Sequence, residues 1–281
     1  MYDYWVAIII GIVEGLTEFL PVSSTGHMIL TQKLLGISES DAMLNTFKIV
    51  IQLGAILAVL IIYWKRVLSL FGLVKLPKRG GGGASGTQGP QGTSKLSLIH
   101  ILIGIVPVML LAFLLDDFIE QHLFAPSTVI IGLVIGGILM IAAEKQKDKP
   151  TAEDVDHITY RQALYIGLWQ ILSLWPGFSR SGATIAGGML SGVNRGASAD
   201  FTFIMAIPIM FAATGYSLLK SYKSFSSDDI TFFIIGFVIS FIVALLAVVS
   251  FIKFVQKMKL TYFAYYRFAL AAAFALYLWL S

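Results

Sequence analysis

Six stretches of the chain, at about 45–64, 97–115, 126–143, 199–219, 230–251 and 261–280, are apolar almost without interruption. Crossing a bilayer core of about 30 Å takes roughly 20 helical residues, so each stretch is long enough to span one. Charged residues make up 13% of the chain, about half the load of a soluble domain, and the mean hydropathy is +0.82. The expected class is therefore an all-α integral membrane protein. With no cysteine in the sequence, disulfide frameworks, thiol nucleophiles and thiolate metal sites are excluded. The net charge of +4 fits membrane orientation better than nucleic-acid binding, and no DNA- or RNA-binding signature is present. Met1, Tyr2 and Asp3 lack the basic start of a signal peptide, and Glu14 and Glu18 interrupt the apolar run behind them. The expectation is mature sequence.

Two further segments, about 4–36 and 160–193, are apolar but broken by polar and turn residues. They resemble each other at an offset of 156. Glu14 then meets Gln170, Leu16 meets Leu172, Thr17 meets Ser173 and Phe19 meets Trp175. Ser23 meets Ser179, Thr25 meets Ser181 and Gly26 meets Gly182; in the spans that follow, Phe47 meets Phe203 and Ile51 meets Ile207. A constant offset across two elements argues for a duplicated unit, each copy holding one interrupted segment and three full spans. Three is odd, so the two units would lie in opposite orientations, with broken helices meeting near the bilayer midplane.

The expected fold is two inverted-topology repeats, 1–145 and 146–281, each with a re-entrant helical hairpin and three transmembrane helices, in one membrane domain. Basic residues agree with it. If each interrupted segment leaves on the side it entered, one side receives Lys65, Arg66, Lys75, Lys78, Arg79, Lys95, Lys145, Lys147, Lys149, Arg161, Arg195, Lys253, Lys257 and Lys259. The other receives mainly Asp116, Asp117, Glu120, Asp228 and Asp229, with Lys33, Lys48, Lys220 and Lys223. The first side is cytoplasmic by the positive-inside rule, and both termini face out. The Gly/Ser/Gln-rich stretch 79–95, within a loop of about 75–96, cannot bury a core and is expected to be a flexible cytoplasmic loop with the composition of a linker. It lacks the GK[ST] ending of a phosphate-cradling loop.

The polar residues concentrate in "EGLTEFLPVSSTGH" and "PGFSRSGAT". Glu14 and Glu18 share one helical face. Carboxylates inside a bilayer usually mark a polar cavity, and a pair suits a hard cation such as Mg²⁺ or Ca²⁺, or a general base. Pro21 ends the preceding helix, and Ser23 or Ser24 caps one that begins near Thr25. His27 follows Ser24 by three residues, within reach of a serine–base contact on one helical turn. Arg180, between Ser179 and Ser181, needs an anionic partner: either Glu14 or Glu18, or a phosphate, which its fork of donors matches. A nucleophile, a base, a cation holder and a charge clamp are phosphoryl-transfer equipment. At membrane depth they suit a phosphorylated lipid whose tail stays in the bilayer. Gln52 either lines the cavity or hydrogen-bonds between helices, and Pro107, Pro208, His100, His122 and His157 take structural readings.

These two motifs, with "YRQA" ahead of the second, resemble the signature motifs of bacterial undecaprenyl-diphosphate phosphatases of the bacitracin-resistance type, and the likeness covers nearly the whole chain. The resemblance implies removal of the terminal phosphate from undecaprenyl diphosphate, regenerating the carrier lipid of cell-wall synthesis. It also implies a divalent cation (Mg²⁺ or Ca²⁺) and a site in the bacterial inner membrane that opens to the outer face. Carried over by motif position, Glu14, Glu18, Ser24, His27 and Arg180 form the functional core, with Glu14 and Glu18 as metal ligands. Ser23, Thr25, Gly26, Ser179, Ser181, Gly182 and Thr184 line the pocket. The expected partner is the lipid substrate, without nucleic acid; a homodimer stays open. In the preferred mechanism Ser24 attacks the terminal phosphorus and His27 or a glutamate takes its proton; in the runner-up His27 is the nucleophile. The strongest rival class is an inverted-repeat transporter or flippase of a lipid phosphate, which would need Arg180 and the glutamates but not Ser24 with His27.

Overall fold

The computed structural model describes residues 2–38, 41–75, 95–123, 125–221, 230–255 and 257–280. Residues 79–94 of the Gly/Ser-rich loop lie outside them. So do Lys78, Lys223, Asp228 and Asp229, and the side chains of Asp116, Glu120 and Lys220.

The apolar stretches become six helices long and apolar enough to cross a membrane: α3 (Ala42–Leu70), α4 (Leu98–His122), α5 (Pro126–Glu144), α8 (Arg195–Ser221), α9 (Ile230–Phe254) and α10 (Leu260–Leu280). The chain is thus a multi-pass, all-helical membrane protein, with no strand among the described residues. Their starts follow local chemistry. Asp41 accepts a hydrogen bond from Leu44 N at 2.9 Å to open α3, and Pro126, with no N–H to lose, begins α5. Pro107 and Pro208 lie inside α4 and α8. His100, His122 and His157 engage locally: with Ser97, the Phe118 carbonyl and Asp154.

The two broken segments become pairs of short helices, α1 (Tyr4–Thr17) with α2 (Ser24–Leu34), and α6 (Tyr160–Gln170) with α7 (Arg180–Leu190). At 1.5 Å per residue, α1 is about 21 Å long and α6 about 16 Å, too short to cross the apolar core alone. The offset of 156 carries the bounds of α2 onto those of α7. It also relates the two positive-φ residues other than glycine among those described, Ser23 (φ 74°) and Ser179 (φ 76°), which cap these helices. The two helices and their caps therefore match in backbone state as well as in side-chain type.

The short helices interlock with the long ones. α1 packs against α9, and α6 against α4, each through a backbone approach that only glycine permits. A Cβ on Gly11 would lie 2.8 Å from the Gly236 oxygen, and one on Gly167 would lie 2.4 Å from the Gly104 oxygen. The core behind the motifs is aromatic: Phe19 meets Phe203 edge-on at 5.8 Å, and Phe203 meets Phe251 at 5.9 Å. Phe19, which directly follows Glu18, is thereby fixed against α8.

Candidate active site

Both site loops are built by one local device. In "VSSTGH" the Ser23 hydroxyl accepts from Gly26 N at 3.3 Å, and in "FSRSGA" the Ser179 hydroxyl accepts from Gly182 N at 3.2 Å. Each satisfies a donor that the first helical turn leaves free. Helix α2 therefore starts at Ser24, one residue before the expected start, and α7 starts at Arg180. Ser24 and Arg180 thus occupy the first position of their helices, where free N–H groups and the positive end of the helix dipole favour a bound anion.

Glu18 joins the two loops. Its Oε1 accepts from Arg180 Nη2 at 2.8 Å, and its Oε2 accepts from the Ser24 hydroxyl at 2.6 Å. The ion pair is withdrawn from solvent, with side-chain exposures of 8% for Glu18 and 16% for Arg180. The Arg180 guanidinium lies 5.9 Å from the Phe19 ring centre, and its Nη1 is buried without a hydrogen-bond partner among the described residues. Such an orphan costs about 1–3 kcal/mol or more for a charged donor, which an arriving anion would recover. Glu14, 5% exposed, is the second carboxylate, with Glu18, Arg180 and Lys48 in electrostatic reach.

His27 departs from expectation. Its Nδ1 lies 2.7 Å from the Ser23 carbonyl oxygen and its Nε2 2.6 Å from the Tyr266 hydroxyl, so both ring nitrogens are engaged away from the Ser24 hydroxyl, which donates to Glu18 instead. The first turn of α2 aims His27 toward α10, while the chain before Pro21 brings Glu18 back over Ser24.

The remaining positions divide. Ser181 donates to the Leu20 carbonyl at 2.9 Å and lies 3.2 Å from the Ser179 hydroxyl, knitting the second loop to the first. Thr25 is half-buried. Gly26 packs on Leu133, and a Cβ on Gly182 would come 3.0 Å from Arg267 Nη1. Thr184 is fully buried; it donates to the Arg180 carbonyl at 2.9 Å and accepts from Thr202 at 2.8 Å. It supports the loop and does not line a pocket, because a threonine on the second turn of α7 bonds back along its own helix.

Sequence reasoning placed the span that becomes α10 but missed its part in the site. Arg267, fully buried, donates to the carbonyls of Leu133 (3.1 Å), Gly132 (3.0 Å) and Gly177 (2.9 Å). It ties α5 to the loop ahead of Ser179. Tyr266 reaches the first motif and Arg267 the second; an arginine within an apolar span was the available signal. Gln170, which matches Glu14 at the offset, is 1% exposed and has neither amide atom hydrogen-bonded among the described residues.

No group of three or more His, Asp or Glu residues able to hold a metal occurs among the described residues. The two-glutamate donor set still fits a hard cation that takes its other ligands from water and phosphate. Elsewhere, a polar cavity of about 630 Å³ lies at the far end of α7 from Arg180. Arg195 on its wall is committed to Glu144 and to the Met258 carbonyl.

Comparison with known proteins adds the family. The family model "Bacitracin resistance protein BacA" matches residues 7–273. An undecaprenyl-diphosphatase of Exiguobacterium sibiricum is 49% identical over 274 residues, 96% of this chain and 95% of that protein. Undecaprenyl-diphosphatase 1 of Bacillus cereus is 49% identical over 277 residues, 99% of each chain, and that of Bacillus anthracis is similar to the same extent.

Proposed function

The chain belongs to the bacitracin resistance protein family, and from that premise we propose how it works as an undecaprenyl-diphosphate phosphatase, removing the terminal phosphate to regenerate undecaprenyl phosphate for cell-wall synthesis. The observation that carries the mechanism is the three-way contact of Glu18 with Ser24 and Arg180. The Ser24 oxygen attacks the terminal phosphorus while its proton passes to Glu18 Oε2, already the acceptor of that hydroxyl. The bond from the terminal phosphorus to the bridging oxygen breaks, and undecaprenyl phosphate leaves. Water then attacks the phosphoserine, the bond from phosphorus to the Ser24 oxygen breaks, Glu18 returns its proton to that oxygen, and inorganic phosphate leaves carrying the protons of the water.

Arg180 provides the charge clamp, its unpartnered Nη1 being free to take a phosphate oxygen. Pairing with Glu18 holds the guanidinium in place before substrate arrives. A divalent cation, Mg²⁺ or Ca²⁺, would be held by Glu14 and Glu18 and would supply charge neutralisation at the diphosphate. His27, away from Ser24, suits the later steps, at the leaving group or the water, better than the first.

The matched hairpins α1–α2 and α6–α7 support two inverted repeats with re-entrant hairpins, whose helix N-termini meet at the site. The distribution of lysine and arginine supports placement in the inner membrane with both termini outside and the site opening outward.

The test is phosphate release from undecaprenyl diphosphate by purified protein in detergent, with and without a chelator. Wild-type protein is expected to release phosphate only with the cation present. Ser24→Ala and Arg180→Ala should each lose at least about a hundredfold. Phosphate trapped on His27 in a turning-over Ser24→Ala variant would make histidine the nucleophile. Folded protein that releases none would shift the assignment to lipid-phosphate transport.

A further inference from the structure

The Tyr266 hydroxyl lies 2.6 Å from His27 Nε2, across 239 positions of sequence. The two ring planes are nearly parallel, at 5°, with centres 5.6 Å apart. The 2.6 Å separation is hydrogen-bond distance, and the ring centres are farther apart than in a face-to-face sandwich. The other nitrogen settles the direction. Nδ1 faces the Ser23 carbonyl at 2.7 Å, and a carbonyl only accepts, so Nδ1 carries the proton of the neutral ring and Nε2 receives the phenol O–H. The nitrogen with chemistry left in it is therefore capped in the substrate-free protein.

The cap sits on a rigid mount. The neighbouring Arg267 is fully buried and holds three backbone carbonyls, those of Gly132, Leu133 and Gly177. The α10 backbone at this point is therefore fixed. Tyr266 is 48% exposed, so its side chain has room to rotate while the helix stays still. An anionic phosphate oxygen is a stronger acceptor than an imidazole nitrogen, since hydrogen bonds to ionised acceptors are about twice as strong as neutral ones.

We propose that Tyr266 is a positioning residue for His27: its phenol holds Nε2 in the resting protein and turns to a phosphate oxygen of the arriving lipid diphosphate, uncapping Nε2 at the moment substrate is bound. No covalent bond changes in this step; one hydrogen bond is exchanged for another. The proposal rests on the phosphatase reading for its ligand, while the resting contact stands on geometry alone.

The test is ¹⁵N spectroscopy of histidine-labelled full-length protein in detergent, with His27→Ala assigning one of the four histidines. Wild-type protein should show His27 protonated at Nδ1, with Nε2 shifted as a hydrogen-bond acceptor. Tyr266→Phe, which keeps the ring, should move Nε2 to the free-acceptor position and lower kcat/KM about tenfold, the scale of one hydrogen bond. A methylene-bridged polyprenyl diphosphonate added to wild-type protein at inhibitory concentration should move Nε2 away from its capped position without any mutation. An Nε2 signal unmoved by Tyr266→Phe, whatever the rate, would reduce Tyr266 to packing and overturn the proposal. A signal unmoved by the bound diphosphonate would overturn the exchange. Absence of phosphate release from wild-type protein would instead sink the phosphatase reading and leave the resting contact measurable.

Discussion

Ser23 and Ser179 hold φ near +75°, a region where a Cβ costs about 1–2 kcal/mol. Each stays there because its hydroxyl caps the helix that carries the next functional side chain. The two contributions separate by substitution. Ser179→Gly removes the strain along with the cap and should change thermal stability by only a few tenths of a kcal/mol. Ser179→Ala keeps the strain and loses the cap, and should destabilise the detergent-solubilised protein by about 1–2 kcal/mol, read as a fall in Tm. The motif residues and the caps were legible in the sequence because hydroxyls and glycines at fixed spacing encode helix starts locally. The partners of His27 were not. Three residues on α2 place His27 near Ser24 in sequence, but the rotation of the helix sends the ring to Tyr266 and leaves Ser24 to Glu18. Neither Tyr266 nor Arg267 falls in the segments that the offset relates, so nothing in the repeat pointed to them.

At the scale of elements, hydropathy located the spans and understated their length. The stretch read as 45–64 is a helix over Ala42–Leu70, because helix continues past the apolar core into Lys65 and Arg66, whose stems can lie along apolar surface while their charges reach water. Helix contacts depend on glycine. Gly167→Ala would put a Cβ 2.4 Å from the Gly104 oxygen of α4, an atom that cannot rotate away. The expected cost is about 1–3 kcal/mol, with α6 displaced; a thermal melt unchanged from wild type would refute the crossing. The end of α3 is tied down by Arg66, paired with Asp156 at 2.7 Å. Burial pushes the Asp156 carboxyl up, but the Arg66 guanidinium beside it and the hydrogen bond from the Leu96 N–H outweigh it and hold the group below the ordinary carboxylate range. A carboxylate lowered by folding stabilises the protein above its unfolded pKa, about 3.9, and that contribution is lost as pH falls through the folded value. Asp156→Asn should therefore flatten the loss of Tm below about pH 4 relative to wild type.

At the scale of the whole molecule the short helices pack on spans distant in sequence, α1 on α9 and α6 on α4. The proposed inverted repeats are testable because the chain has no cysteine. Single cysteines at two exposed positions, Asp3→Cys and Lys147→Cys, should react with an impermeant maleimide from opposite faces of sealed vesicles, Asp3→Cys from the outer face. Labelling of both from one face would break the inverted arrangement. The sequence by itself determined the class, the six spans among the described residues and the residues of the two motifs, since each is written in composition, period or local spacing. Only the tertiary structure decided which of those residues touch. Glu18 and Arg180 are 162 positions apart and His27 and Tyr266 are 239 apart. Contacts at that separation depend on how the helices cross, and the crossings are set by glycine approaches and aromatic packing between elements that local patterns describe one at a time.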